Sequence, residues 1–185
     1  MLVYIHGFGS SAKGVKAMMV REAFAPKVIA PSLSPIPDLA IDTLEQIVEG
    51  LHRCGEKVVF MGSSLGGYYA TYLAHKYESK AVLINPSVKP YETLAKYVGL
   101  NHSFYDFSNY EFTQKHIDYL KNIDVDDNAL HKENFLLLLQ TGDDVLDYHE
   151  AVEKFAGAQI DITEGGNHGY ENFEEKLEDI KLFLR

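Results

Sequence analysis

Three side chains of this 185-residue sequence stand where acyl-transfer chemistry needs them. Gly62-Ser63-Ser64-Leu65-Gly66 follows an apolar run and precedes a helix-like one, which makes it a G-x-S-x-G motif in a strand-turn-helix setting. The serine of such a motif sits on a turn so tight that its hydroxyl is exposed, and the flanking glycines remove side chains that would collide across it. Ser63 is the neighbouring alternative, without the symmetric glycine frame. A serine hydroxyl is a weak nucleophile until a base removes its proton. Of the eight histidines only His168 directly follows the last candidate strand, in Glu164-Gly165-Gly166-Asn167-His168-Gly169, where glycines let the loop reach back over a sheet. His6, His52, His75, His102, His116, His131 and His149 fall on strand ends, helices or a long insert. The base in turn needs a carboxylate to hold its tautomer. Thr141-Gly142-Asp143-Asp144-Val145-Leu146-Asp147 follows the preceding strand; Asp143 comes off it first, with Asp144 and Asp147 as alternatives. Charge developing on an acyl oxygen calls for backbone N–H donors. Leu65, after the serine, supplies one, and the loop His6-Gly7-Phe8-Gly9-Ser10-Ser11 supplies another, the Phe8 amide or else that of Gly9.

These residues have to be positioned by a scaffold. Six short runs rich in β-branched and apolar residues, at 2–6, 27–30, 57–61, 81–84, 135–140 and 159–163, read as strands. Segments of helical periodicity at 12–24, 38–53, 65–76, 148–155 and 171–184 alternate with most of them, as in a parallel sheet covered on both faces. The expected class is α/β, one domain over 1–185. The exception is 87–131, too long for an ordinary crossover and holding eight of the chain's 22 aromatic residues. It is expected to be a lid-like insert, with Phe104 and Tyr105 in its most irregular part lining a substrate pocket. The competing expectation makes its rings a satellite core beneath short helices.

Composition narrows the partners. The net charge of −10 falls on the last third, where residues 121–185 carry 16 acidic and 6 basic side chains. With no basic stripe to neutralise phosphates, nucleic acid and anionic membrane are not expected partners. The acidic run 171–179, interleaved with Phe173 and Leu177, reads as the solvated face of the last helix. Cys54 is the only cysteine, so disulfides and cysteine metal sites are excluded, and no apolar run is long enough to span a membrane. With no basic, apolar leader at the start, the expected location is cytoplasmic. Gly7-Phe8-Gly9-Ser10-Ser11-Ala12 also satisfies a dinucleotide-binding fingerprint, but the second strand ends in Ala30-Pro31-Ser32-Leu33, without the acid that would hold a ribose. No P-loop lysine, H-E-x-x-H or EF-hand pattern occurs, and neither cofactor nor metal is expected.

The order Ser64, Asp143, His168 is the one expected of an α/β-hydrolase. The sequence resembles the small bacterial YqiA-type esterases of that superfamily over essentially its whole length. The resemblance rests on His6-Gly7-Phe8 with Ser10-Ser11, Gly62 to Thr71, Asn85-Pro86, Gln140 to Asp143 with Val145 to Tyr148, and Glu164 to His168. It implies a compact hydrolase with six parallel strands in the order 2-1-3-4-5-6. It also implies hydrolysis of small-molecule carboxylic esters, and of acyl-CoA thioesters, by Ser64, Asp143 and His168 without a cofactor. Gly9 departs from the family, which often has a polar residue there. The alternative from another class is a non-catalytic, hydrolase-like binding module whose insert is the working surface.

Overall fold

A computed structural model describes residues 1–185. Strands β1 (Leu2–Ile5), β2 (Val28–Ile29), β3 (Val59–Ser63), β4 (Ala81–Ile84), β7 (Phe135–Gln140) and β8 (Gln159–Thr163) form one sheet, with β5 (Gly99–His102) and β6 (Asn109–Phe112) lying outside it. The sheet order is β2-β1-β3-β4-β7-β8 and every pairing is parallel. Counted as six strands, this is the order expected from the sequence.

Alternation along each strand sorts the core onto two faces. Val3, Ile5, Phe60, Leu83, Leu137 and Leu139 pack with α2 (Pro37–Arg53), α3 (Leu65–Lys76), α5 (Gln114–Asn122) and α6 (Tyr148–Lys154). Leu2, Tyr4, Met61, Val82, Ile84, Leu136 and Leu138 pack with α1 (Val15–Phe24) and α7 (Leu177–Leu184). Phe173 and Ile180 are buried while Glu171, Glu174, Glu175, Glu178 and Asp179 are exposed, as expected of a solvated face, although 173–176 is a 3-10 turn ahead of α7.

Two differences from the sequence reading matter for the site. β3 runs to Ser63 rather than Met61, because Gly62 and Ser63 still pair with Leu83 and Ile84, so Ser64 is the first residue beyond the strand. The insert is also more than helices. After α4 (Pro90–Thr93), β5 and β6 pair antiparallel as a hairpin, with Gly99 opposite Phe112 and His102 opposite Asn109. Its strands are four residues long and mostly solvent-facing, too short and polar for alternation to stand out. Phe112 alone is driven fully into the core.

Candidate active site

The turn after β3 brings Ser64 out of the sheet. Its φ of 57° and ψ of −123° lie in a region that costs a non-glycine residue about 1–3 kcal/mol, so the surroundings must hold it there. The Ser64 N–H donates to Ile84 C=O at 3.1 Å, and the Ser64 C=O accepts from Gly67 at 2.9 Å and Ser87 at 3.0 Å. Close approach explains the glycine frame: a Cβ on Gly62 would lie 2.0 Å from Gly66 O, and one on Gly66 would lie 2.1 Å from Ile5 O.

His168 Nε2 lies 3.0 Å from Ser64 Oγ, and His168 Nδ1 lies 2.8 and 3.0 Å from the two Asp143 oxygens. The carboxylate can only accept from Nδ1–H, so Nε2 is left to accept from the serine. Asp143 Oδ1 also accepts the Val145 and Leu146 N–H groups, both at 2.9 Å. Burial of the side chain, 2% exposed, opposes its ionisation, but the hydrogen bonds from His168 and those two amides outweigh this and hold its pKa below the ordinary carboxylate value. The alternatives lie elsewhere: Asp144 is exposed, while Asp147 accepts from the His149 N–H as the N-cap of α6. Ser63 is buried within β3, and no histidine but His168 reaches Ser64.

The loop after β1 crosses next to the serine. A Cβ on Gly7 would lie 3.2 Å from Ser64 Cβ. Leu33 N–H donates to His6 Nε2 at 3.0 Å, which puts the ring proton on Nδ1, and Nδ1–H donates to Gly7 C=O at 2.9 Å. Burial lowers the His6 pKa and favours the neutral ring this arrangement needs. The Gly7–Phe8 peptide is thereby gripped by its carbonyl, and its Phe8 N–H makes no backbone hydrogen bond. Leu65 opens α3, where the first amides of a helix lack intrahelical partners.

Two buried amides, named in the sequence only as part of the resemblance and without a role, hold the loop bearing His168. Asn85 Nδ2 donates to the Asn167 and His168 carbonyls at 3.0 and 3.3 Å, while its Oδ1 accepts Gln140 N–H at 3.0 Å. Gln140 Oε1 accepts the Asn167 and Glu171 N–H groups at 3.1 and 2.9 Å, and Nε2 donates to Glu171 C=O at 2.9 Å. Lys16 Nζ adds a bond to Gly169 C=O. The signal was present: Gln140 is a polar residue ending the apolar run Phe135 to Leu139, and Asn85 directly follows β4.

Two hollows meet at Ser64. One, of about 240 Å³, is walled by Phe8, Leu65, Leu94, Tyr97, Phe104 and Leu146. The other, of about 550 Å³, runs between the loop after β1, α1 and the His168 loop. Phe104 borders both, and its N–H donates to Gly9 C=O at 2.8 Å. Tyr105 borders neither. The 103–106 turn, in which Ser103 Oγ accepts the Tyr105 N–H, carries its ring to an adjoining cavity, where the Lys13 ammonium lies over it. The insert's rings divide between the two expected roles. Phe112 is core and packs edge-on against Phe8, whereas Phe104 faces the hollows. No group of three or more His, Cys, Asp or Glu side chains converges on a metal-sized site.

Comparison with known proteins fits this geometry. The model of an uncharacterised protein family, UPF0227, matches residues 1–185. The chain belongs to the UPF0227 family. A UPF0227 protein of Shewanella sp. (strain MR-4) is 27% identical over 191 residues, covering 99% of this chain and 98% of that one. YcfP of Escherichia coli O9:H4 (strain HS) is 25% identical over 192 residues with the same coverage. Among solved structures, a putative hydrolase from Agrobacterium vitis S4 superposes with a TM-score of 0.76 at 18% identity, covering 100% of this chain and 87% of the other. Est1E from Butyrivibrio proteoclasticus, solved with ferulic acid bound, superposes with a TM-score of 0.74 at 12% identity, covering 99% and 88%. This UPF0227 protein has the α/β-hydrolase fold. No helix is long and apolar enough to cross a membrane.

Proposed function

We propose that this UPF0227 protein is a serine hydrolase of carboxylic esters, with acyl-CoA thioesters as a second class of substrate. The observation that carries the reading is the unbroken chain from Ser64 Oγ through both ring nitrogens of His168 to the buried Asp143 carboxylate. His168 Nε2 takes the Ser64 proton as Oγ attacks the carbonyl carbon, and Asp143 stabilises the imidazolium that forms. The Phe8 and Leu65 N–H groups receive the charge on the acyl oxygen. His168 then gives its proton to the leaving alcohol or thiol, and water attacks the acyl-enzyme with His168 again as base. The apolar hollow beneath Phe104 receives the acyl group, and the wider hollow lets the leaving group depart. The insert 87–131 acts as the cover of the acyl side. Superposition on solved hydrolases and esterases supports the reaction class.

The test is a panel of p-nitrophenyl esters of rising chain length beside acyl-CoA thioesters. Hydrolysis should fall by about 10⁴-fold or more in Ser64→Ala and in His168→Ala, because the residues act as a unit. Activity that survives both substitutions would refute the assignment.

A further inference from the structure

Beside the Ser64 hollows lies a separate cavity of about 480 Å³, within the roughly 300–1,000 Å³ of small-molecule sites. It shares His6, Gly7, Phe8, Ser10 and Ser11 with the wider hollow, but neither Ser64 nor His168 borders it. Three stretches of chain enclose it: the loop after β1, residues 32–35 ahead of α2, and the tip of the β5–β6 hairpin.

Its walls carry an unusual share of hydroxyl groups, six of the chain's ten serines among them. Ser11 Oγ accepts the Lys13 N–H at 3.2 Å, Ser32 Oγ the Ala12 N–H at 3.2 Å, and Ser34 Oγ the Ile36 N–H at 3.1 Å. In each case the oxygen is used and the hydroxyl proton is left for an acceptor from outside the protein. Tyr69 adds a second, independent sign of a ligand. The residue is only 3% exposed, it borders the cavity, and no protein group hydrogen-bonds its hydroxyl. The rings of Tyr105 and Tyr110 supply apolar faces.

The charges of the wall discriminate among ligands. No lysine or arginine lines the wall, the Lys13 ammonium near it being engaged over the Tyr105 ring, and the one acid, Asp106, has Oδ1 taken by the N–H and hydroxyl of Ser108. A phosphate or carboxylate would find no counter-charge in the wall itself, and an alkyl chain would bury hydroxyls without partners. A neutral polyhydroxylated group meets both demands: its hydroxyls pair with the serines and Tyr69, and its C–H faces lie on tyrosine rings. We propose that this cavity is a subsite for a sugar or polyol, the alcohol part of the ester cleaved at Ser64. The inference rests on the hydrolase reading above and narrows its substrate class.

Methyl 6-O-butyryl-glucopyranoside, ethyl butyrate and p-nitrophenyl butyrate share an acyl group and differ in the alcohol. The sugar ester should have a higher kcat/KM than ethyl butyrate, and Tyr69→Phe, which deletes a hydroxyl without a protein partner, should cut the ratio of the two about three- to tenfold. A sugar ester no better than the ethyl ester, or a ratio unmoved by Tyr69→Phe, would overturn the subsite. A readout without turnover separates the two claims. Methyl glucopyranoside titrated into the Ser64→Ala protein should perturb NMR signals of residues 32–34 and 103–110, and less so when Tyr69→Phe is added. Failure of all three esters to turn over would sink the hydrolase reading, whereas silence of those signals at the highest soluble sugar concentration would sink the subsite.

Discussion

Replacing Gln140 by Leu tests how the loop bearing His168 is held. The side chain, 2% exposed, makes three hydrogen bonds to that loop: two accepted from the Asn167 and Glu171 N–H groups and one donated to Glu171 C=O. Leucine has similar bulk and none of these, and each neutral bond is worth about 0.5–1.5 kcal/mol net. The loop is partly exposed, so water can reach some of the released groups, and the sum comes to about 2–3 kcal/mol. For a chain of this size that is a fall in Tm of roughly 4–12 °C. Activity should suffer beyond the loss of folded protein. With the Nε2 to Oγ alignment loosened, a displacement on the order of 1 Å costs up to about 10²-fold in rate. The fall should appear in kcat with KM little changed, measured well below the melting temperature. Gln140→Glu keeps both acceptor roles but sets a buried carboxylate oxygen against Glu171 C=O where Nε2 donated, so it should lose rate as well. Unchanged kcat in Gln140→Leu would refute the positioning role.

Other outcomes follow from the same geometry. Asp143→Asn should lower kcat by about 10⁴-fold, since the amide favours the wrong imidazole tautomer, and Asp144→Asn should change little; the reverse order in ester kinetics would reassign the acid. Because Asp143 is held below its ordinary pKa in the folded state, its stabilisation is full above the unfolded carboxylate value near 4 and is lost as pH falls through the lower folded value. The Tm gap between wild type and Asp143→Asn should therefore be widest at neutral pH and shrink towards pH 2; a gap independent of pH would contradict the ionised, hydrogen-bonded carboxylate. Phe104→Ala keeps the backbone bond to Gly9 but removes a wall of the acyl hollow, so kcat/KM for a C8 ester should fall by about 1–3 kcal/mol in transition-state binding while a C2 ester is nearly untouched. An unmoved C8-to-C2 ratio would remove Phe104 from the pocket.

What could be read from the sequence was what repeats or carries a strict local demand. The four central strands were visible because each is buried on both faces and so reads as a nearly continuous apolar run. The edge strands β2 and β8 are only partly buried, and β8 shows instead as the alternation Gln159-Ile160-Asp161-Ile162-Thr163. Ser64, Asp143 and His168 were visible because each follows a strand, where a short loop leaves little freedom of placement. The β5–β6 hairpin was not, since its strands are short and half in solvent, and its place depends on Phe112 finding Phe8 across a hundred residues of chain. Phe104 and Tyr105 share the most irregular part of the insert, yet a single turn at Ser103 sends them to different cavities. The sequence shows Asn85 and Gln140 as parts of the family resemblance but not their role, because an amide's role lies in its partners, and those sit some 27 to 83 residues away.

The proposed hydrolysis depends first on Ser64 being a nucleophile activated by His168. A fluorophosphonate probe, followed by intact-mass measurement and peptide mapping, reads this without knowledge of the substrate. The expected result is a single covalent adduct on Ser64, lost in Ser64→Ala and formed far more slowly in His168→Ala. An unlabelled wild-type protein, or an adduct on Ser63 or any other serine, would contradict it.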